Sequence, residues 1–242
     1  MANFYIEKEQ LSENTALITG EEAQHISRVL RMKKGDEVTL CDGEGTFYEA
    51  RLTDFNEKSV EAEILSVRRA ETEPRVKLCV FQGVPKNPKL ETIVQKLTEI
   101  GATAVVPMDT QRAVAKLDKS AKVERLRKIA REAAKQSRRG IIPTVSDTMS
   151  FKDAIKEAAK ADLMIIAYEE ERETSLKSAL QGKTPESVSV LIGPEGGFEK
   201  EVVEKAVALG AVSVTLGKRI LRTETAPIAI SSAILYELGE MQ

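Results

Sequence analysis

The sequence predicts an α/β fold in which a mainly parallel sheet is covered by helices and preceded by a small β-barrel. Beyond residue 70, strand-like and helix-like segments alternate, and each strand-like run is β-branched or aliphatic almost throughout, as expected of strands covered on both faces. Before residue 70, apolar residues follow a period of two around tight turns. The 242 residues are 42% hydrophobic, enough for a sizeable core, and 4% aromatic with no Trp, so that core is mostly aliphatic.

In the first part, "EVTLC" (37–41) leads through the hairpin signal "DGEG" into "TFYEARL" (46–52), and "SVEAEILSV" (59–67) follows. One helical stretch, "EEAQHISRVLR" (21–31), interrupts these strands. A barrel of about 70 residues is close to the size at which a single core becomes marginal. After "RRAETEP" the strands are "VKLCVFQG" (76–83), "TAVVPM" (103–108), "DLMIIAY" (162–168), "VSVLIG" (188–193) and "VSVTLG" (212–217). Asn87 and Pro88 open a helix whose apolar stripe is Leu90, Ile93, Val94, Leu97 and Ile100, and Gly101 stops it. Ser150 and Asp153 form a capping box before Ala154, Ile155 and Ala158. Val202, Val203, Ala206 and Leu209 form another stripe, ended by Gly210; Thr225-Ala226-Pro227 opens a last helix through Ile228, Ile234, Leu235 and Leu238.

In an open parallel sheet, the loops leaving the carboxyl ends of the strands gather on one edge, where ligands bind. Here they are "VPKNPK", "DTQR", "EEERET", "GPEGGF" and "GKRILRTETAP". The glycine-rich fourth loop lets backbone N–H groups approach a ligand and leads into a helix N-terminus. By itself it would be a tight turn. Paired with a fifth loop that mixes Lys218, Arg219 and Arg222 with Ile220 and Leu221, it reads as a binding site.

The net charge of −2 points to no partner, but its distribution does. Residues 112–139 hold eleven basic residues against three acidic ones, and Arg125, Lys128, Arg131, Lys135 and Arg138 recur at helical spacing. Such a stripe is either a phosphate-facing surface or a solvated helix face. The longest apolar runs, such as "LMIIAY", fall well short of the roughly 20 residues that cross a bilayer. "MANFYIEKEQLSEN" has neither the basic nor the apolar region of a secretion signal, so a cytoplasmic location is expected. Cys41 and Cys79 are isolated and read as reduced packing residues, without a zinc motif. His25 is the single histidine, which excludes Ser-His-Asp triads and paired-His metal sites unless it reaches the loops from the barrel, and no metal is expected. Glycines, arginines and Glu195 suit cofactor binding and stabilisation of a developing anion better than attack by a protein nucleophile.

"IGPEGGF" followed by "LGKRILRTETAP" resembles the two cofactor-loop signatures of the 16S ribosomal RNA uracil-N3 methyltransferases of the SPOUT superfamily. "HISRVLRMKKGDEV", "PKNPKLETIVQKLTEIG", "KIAREAAKQSRRGIIP" and "AYEEE" fit the same pattern, so the resemblance spans essentially the whole chain. It implies a PUA-like barrel over residues 1–70 and a SPOUT domain with a C-terminal trefoil knot over 71–242. It also implies S-adenosyl-L-methionine as methyl donor, a homodimer, and 16S rRNA or the 30S subunit as partner. Carried over by position, the cofactor cradle is Ile192, Gly193, Glu195, Gly196, Gly197, Leu216, Gly217, Ile220, Leu221 and Ala226. Uracil N3–H must be lost as the methyl arrives, so a permanent cation is useful, with Arg222 the first catalytic candidate and Arg112 the second. The implied RNA contacts are Arg28, Arg31, Lys86, Lys89, Arg125, Arg131, Arg138 and Arg139. Two positions depart from the family pattern: Asn3 where an Arg is usual, and Lys135 where a Glu is usual. A SPOUT ribose 2′-O-methyltransferase and a non-enzymatic RNA-binding assembly factor are the alternative functions.

Overall fold

A computed structural model describes residues 3–86, 88–110 and 121–241. The chain forms two compact units, Met1–Glu73 with Ala134–Ile142, and Pro74–Ala133 with Pro143–Gln242.

The first unit contains β1 (Asn3–Tyr5), β2 (Thr15–Thr19), the short helix α1 (Gly20–Gln24), β3 (Glu37–Cys41), β4 (Thr46–Phe55) and β5 (Ser59–Arg69). The strands form one sheet in the order β1-β3-β4-β5-β2, with β1 parallel to β3 and the other pairs antiparallel. At the tip of the β3–β4 hairpin, Asp42 Oδ1 accepts the N–H groups of Glu44 and Thr46, the local bonding that makes Asp a turn former. Register shifts at Glu49/Ala50 and Leu52/Asp54 bend the long β4–β5 ribbon over a core of Phe4, Ile18, Ile26, Leu40, Leu52 and Val60. The helix expected over residues 21–31 is shorter, passing at His25–Val29 into one wider π-helical turn. The His25 ring stands edge-on to Phe4 at 5.8 Å, a packing contact.

Residues 134–142 complete this unit. Tyr5 donates its hydroxyl hydrogen to the Arg139 carbonyl at 2.8 Å, and the Cys41 thiol donates to the Gly140 carbonyl at 3.3 Å. Burial pushes that thiol up to about 11. Arg139, expected to touch RNA, is 3% exposed. Its guanidinium grips the Glu73 carboxylate at 2.6 and 3.1 Å, and the other carboxylate oxygen accepts the N–H groups of Gly140 and Ile141. The assignment of Arg139 to RNA is therefore corrected: its charge is spent on holding a largely buried carboxylate.

The second unit contains β6 (Lys77–Gly83), α2 (Lys89–Ile100), β7 (Ala104–Asp109), α3 (Ala121–Gln136, whose last turn belongs to the first unit), β8 (Thr144–Val145), β9 (Met149–Ser150) and α4 (Phe151–Ala158). It continues with β10 (Leu163–Ala167), α5 (Leu176–Leu180), β11 (Ser187–Ile192), α6 (Lys200–Ala208), β12 (Val212–Val214) and α7 (Ala226–Glu237). Its sheet is parallel throughout, in the order β12-β10-β11-β6-β7-β8, with β9 also on β7. Strand side chains alternate between two cores. Leu78, Val80, Val190 and Ile165 meet α2, α3, α5 and α7, while Phe81, Met164, Ile166 and Leu191 meet α4 and α6. Gly101 ends α2 at φ +113°, and the Ser150 hydroxyl caps α4 by accepting the Asp153 N–H. The fifth expected strand is only three residues long, because the chain turns away after Val214 to form the long loop before α7.

The expected basic stripe also shortens. Lys135 pairs with Glu22 at 2.7 Å and sits 5.5 Å from the Phe4 ring centre, so the position that departs from the family pattern serves the fold of the first unit. The helix ends at Gln136, and Arg138 lies beyond it at φ +58°, off the helical face. Arg125, Lys128 and Arg131 remain on one face of α3, with Arg125 paired to Glu91 at 2.8 Å.

Candidate active site

The carboxyl ends of β10, β11 and β12 open onto one cleft of about 580 Å³. It is lined by residues 167–169 and Arg172, by 192–197, by 215–223 with Ala226, and by Lys89. This volume lies within the range of about 300–1,000 Å³ typical of small-molecule sites.

The loop after β11 bends tightly. Gly197 adopts φ +65°, and a Cβ there would lie 2.0 Å from a Glu169 oxygen. A Cβ on Gly193 would meet the Gly197 backbone at 2.9 Å. Both positions therefore require glycine, one for its left-handed backbone and one for close approach. Beneath the loop, fully buried Gln82 at the end of β6 donates its side-chain amide to the Gly193 carbonyl (3.3 Å) and the Thr223 hydroxyl (3.1 Å). Thr223 in turn donates to the Gly193 carbonyl at 2.8 Å. This node ties the glycine loop to the residue after Arg222. The Arg222 carbonyl accepts the N–H groups of Thr225 and Ala226, closing the turn that starts α7.

The third loop is shaped by Glu171, whose carboxylate accepts the N–H groups of Arg172, Glu173 and Thr174. Hydrogen bonds from Glu173 and Thr174 hold this carboxyl below its usual value. Burial pushes the Glu195 carboxyl up, but backbone N–H donors and the Lys89 ammonium outweigh it, and the net shift is downward. Glu224 is likewise lowered, first by a backbone hydrogen bond and then by Lys89 and the Arg222 charge.

All the candidate cradle residues named from the sequence line this cleft: Ile192, Gly193, Glu195, Gly196, Gly197, Leu216, Gly217, Ile220, Leu221 and Ala226. Arg222 is exposed and lines it too, whereas Arg112 falls outside the described residues. Leu221 is half-buried against the core beneath, while Ile220 is 89% exposed, so the two aliphatic residues of this loop differ in setting. Arg28 and Arg31 are exposed in the first unit, Lys86 is exposed with its backbone N–H on Glu195, and Lys89 lies at the cleft between two carboxylates. Tyr168, Glu169 and Arg172 join the lining without having been singled out. "EEERET" reads as a strand-end loop in the sequence, but its approach to the glycine loop depends on β10 lying beside β11, which chain order does not show.

Gly196 is exposed in the cleft wall, so a branched side chain there should obstruct a ligand while sparing the core. Gly196→Val is expected to weaken ligand binding in this cleft, probed with the S-adenosylmethionine that the sequence resemblance implies, by at least about tenfold, with the melting temperature little changed. Calorimetry with undiminished affinity would make the glycine loop a turn only.

A profile described as the RNA methyltransferase domain matches residues 71–235, and one described as the RNA methyltransferase PUA domain matches residues 18–65. With the strand-end cleft, these define an RNA methyltransferase. A Bacillus subtilis protein named ribosomal RNA small subunit methyltransferase E is 40% identical over 98% of this chain and 97% of its own length. The chain belongs to the ribosomal RNA small subunit methyltransferase E family. A crystal structure of the Neisseria gonorrhoeae member bound to S-adenosyl methionine shares 29% identity at a TM-score of 0.86, covering 98% of this chain and 97% of that one. A Legionella pneumophila methyltransferase solved with bound SAM gives 29% identity and a TM-score of 0.84, over 97% of this chain and 96% of that one.

Proposed function

We propose that this protein methylates N3 of a uridine in small-subunit ribosomal RNA, using S-adenosylmethionine, and acts on the assembled subunit. The carrying observation is the convergence of the two signature loops and Arg222 on one cleft. The residues fit the donor: apolar Ile192, Leu216, Leu221 and Ala226 suit an adenine, and Gly193 and Gly197 permit the tight turn that brings the loop backbone to the cleft wall. Backbone groups of the glycine loop and of Leu216–Leu221 would hold it, with Glu195 at the rim. Bound there, S-adenosylmethionine supplies an electrophilic methyl group on a sulfonium.

The remaining chemistry belongs to the protein and the base. N3 gives up its proton to solvent water at the open cleft as its bond to the methyl carbon forms and the methyl–sulfur bond breaks, and negative charge spreads onto the flanking C2 and C4 carbonyl oxygens. The cationic Arg222 guanidinium meets that charge where it develops. Because N3 lies on the Watson–Crick edge, the uridine must be unpaired or flipped out to react. In this reading, residues 1–70, completed by 134–142, form the RNA-recognition domain, and the rest of 71–242 forms the catalytic, knotted domain of a cytoplasmic homodimer.

A methyl at N3 blocks base pairing, so small-subunit rRNA from cells making the protein should stop reverse transcriptase at one uridine, and rRNA from deletion cells should not. A 2′-O-methyl mapped at that site by mass would instead support the ribose reading. No modification difference would point to an assembly factor.

The basic face of α3 is assigned to the RNA backbone. Replacing Arg125, Lys128 and Arg131 together by Gln should flatten the salt dependence of RNA binding by up to about three phosphate contacts, leaving cofactor affinity unchanged. An unaltered slope would return this face to solvent.

A further inference from the structure

Lys89 is the first residue of α2, and its ammonium lies 3.2 Å from Glu195 Oε1 and 3.0 Å from Glu224 Oε2. Glu195 also accepts the backbone N–H of Lys86 at 3.1 and 3.3 Å. Three strand-end loops thus meet at one cation: the loop after β6, the glycine loop after β11, and the loop after β12 that bears Arg222. Glu195 immediately precedes Gly196-Gly197, and Glu224 lies two residues beyond Arg222.

We propose that Lys89 is a positioning residue that clamps the cofactor loop to the Arg222 loop, rather than a contact to RNA phosphate. One ammonium shared by two carboxylates has its charge already matched, so it offers an approaching phosphate little attraction. Removing the ammonium leaves Glu195 and Glu224, which both lie within 3.2 Å of it, without their shared counter-charge, and like charges then push the two loops apart. Gln82 and Thr223 join the same loops from beneath with neutral hydrogen bonds, so Lys89 supplies the charged fastening at the rim. The clamp rests on the reading of this cleft as the S-adenosylmethionine site, and it makes donor binding and Arg222 placement depend on one side chain.

The test compares Lys89→Gln, Lys89→Arg, Glu195→Gln and the Lys89→Gln/Glu195→Gln double variant. Calorimetry reads S-adenosylmethionine affinity, and titration with 30S subunits at several salt concentrations reads RNA binding. Lys89→Gln should weaken donor binding about tenfold, Lys89→Arg should restore most of it, and the double variant should lose less than the two single losses combined. The salt slope of RNA binding should not move. Undiminished donor affinity in Lys89→Gln, with a salt slope reduced by about one, would overturn the clamp and make Lys89 a phosphate contact. Strictly additive losses would also overturn it, since the two side chains would then act separately. Failure of the unaltered protein to bind S-adenosylmethionine would instead overturn the cofactor reading on which the clamp rests.

Discussion

Replacing Arg222 with alanine should lower the single-turnover rate of methyl transfer by about 10²–10³-fold at saturating cofactor, the usual cost of losing one preorganised partner of transition-state charge. The guanidinium is exposed in the cleft wall, so its removal leaves no cavity in the core. Its effect should therefore fall on the rate, with S-adenosylmethionine affinity and melting temperature close to those of the unaltered protein. For the proposed reaction at uridine N3 the reason is differential: uncharged uracil gives the cation little to hold, and the base acquires its charge only on the way to product. Quench-flow methylation of 30S subunits beside cofactor calorimetry separates rate from binding. Turnover by Arg222→Ala at the unaltered rate would remove Arg222 from the chemistry and leave Arg112 as the candidate.

Arg139→Met should destabilise the protein by about 3–5 kcal/mol, the range for removing one partner of a buried ion pair. The methionine fills much of the arginine stem, but the Glu73 carboxylate keeps its charge and loses its guanidinium. Besides the Thr72 hydroxyl, the N–H groups of Gly140 and Ile141 remain to it. Glu73→Gln/Arg139→Met should recover part of the loss, because the neutral amide still accepts those two hydrogen bonds and no charge is stranded. Urea unfolding of the three proteins decides the matter. A loss below about 1 kcal/mol for Arg139→Met would place the pair among surface contacts.

Features encoded by neighbouring residues were legible in the sequence. Gly101 and Ser150 announce helix ends because capping is settled within a few residues. The apolar runs of β6, β10 and β11 show strands covered on both faces, and the loops that follow them hold the cleft. Features that depend on distant partners were hidden. Arg139 reads as one more cation in a basic segment, and the carboxylate that claims it is 66 positions away. Lys135 continues the helical spacing of the stripe, yet Glu22, 113 positions earlier, takes its charge. Tyr168, Glu169 and Arg172 enter the cleft because β10 lies between β11 and β12, an order set by sheet assembly. Lys89 looked like a cation free to meet phosphate, since nothing near it in the chain predicts that Glu195 and Glu224 converge on it.

The division of the first unit into two chain segments has a consequence for how the protein is made. During synthesis, the segment ending at Glu73 leaves the ribosome well before Ala134–Ile142, and domains ordinarily fold as they emerge. In that interval the Tyr5 hydroxyl, the Cys41 thiol and the Glu73 carboxylate lack the carbonyls, amides and guanidinium that later satisfy them. The nascent sheet must therefore wait, incompletely lined, while much of the other unit is translated. The chain cannot mature as two independent products in sequence; the N-terminal part reaches its final state only after Ile142 has been added.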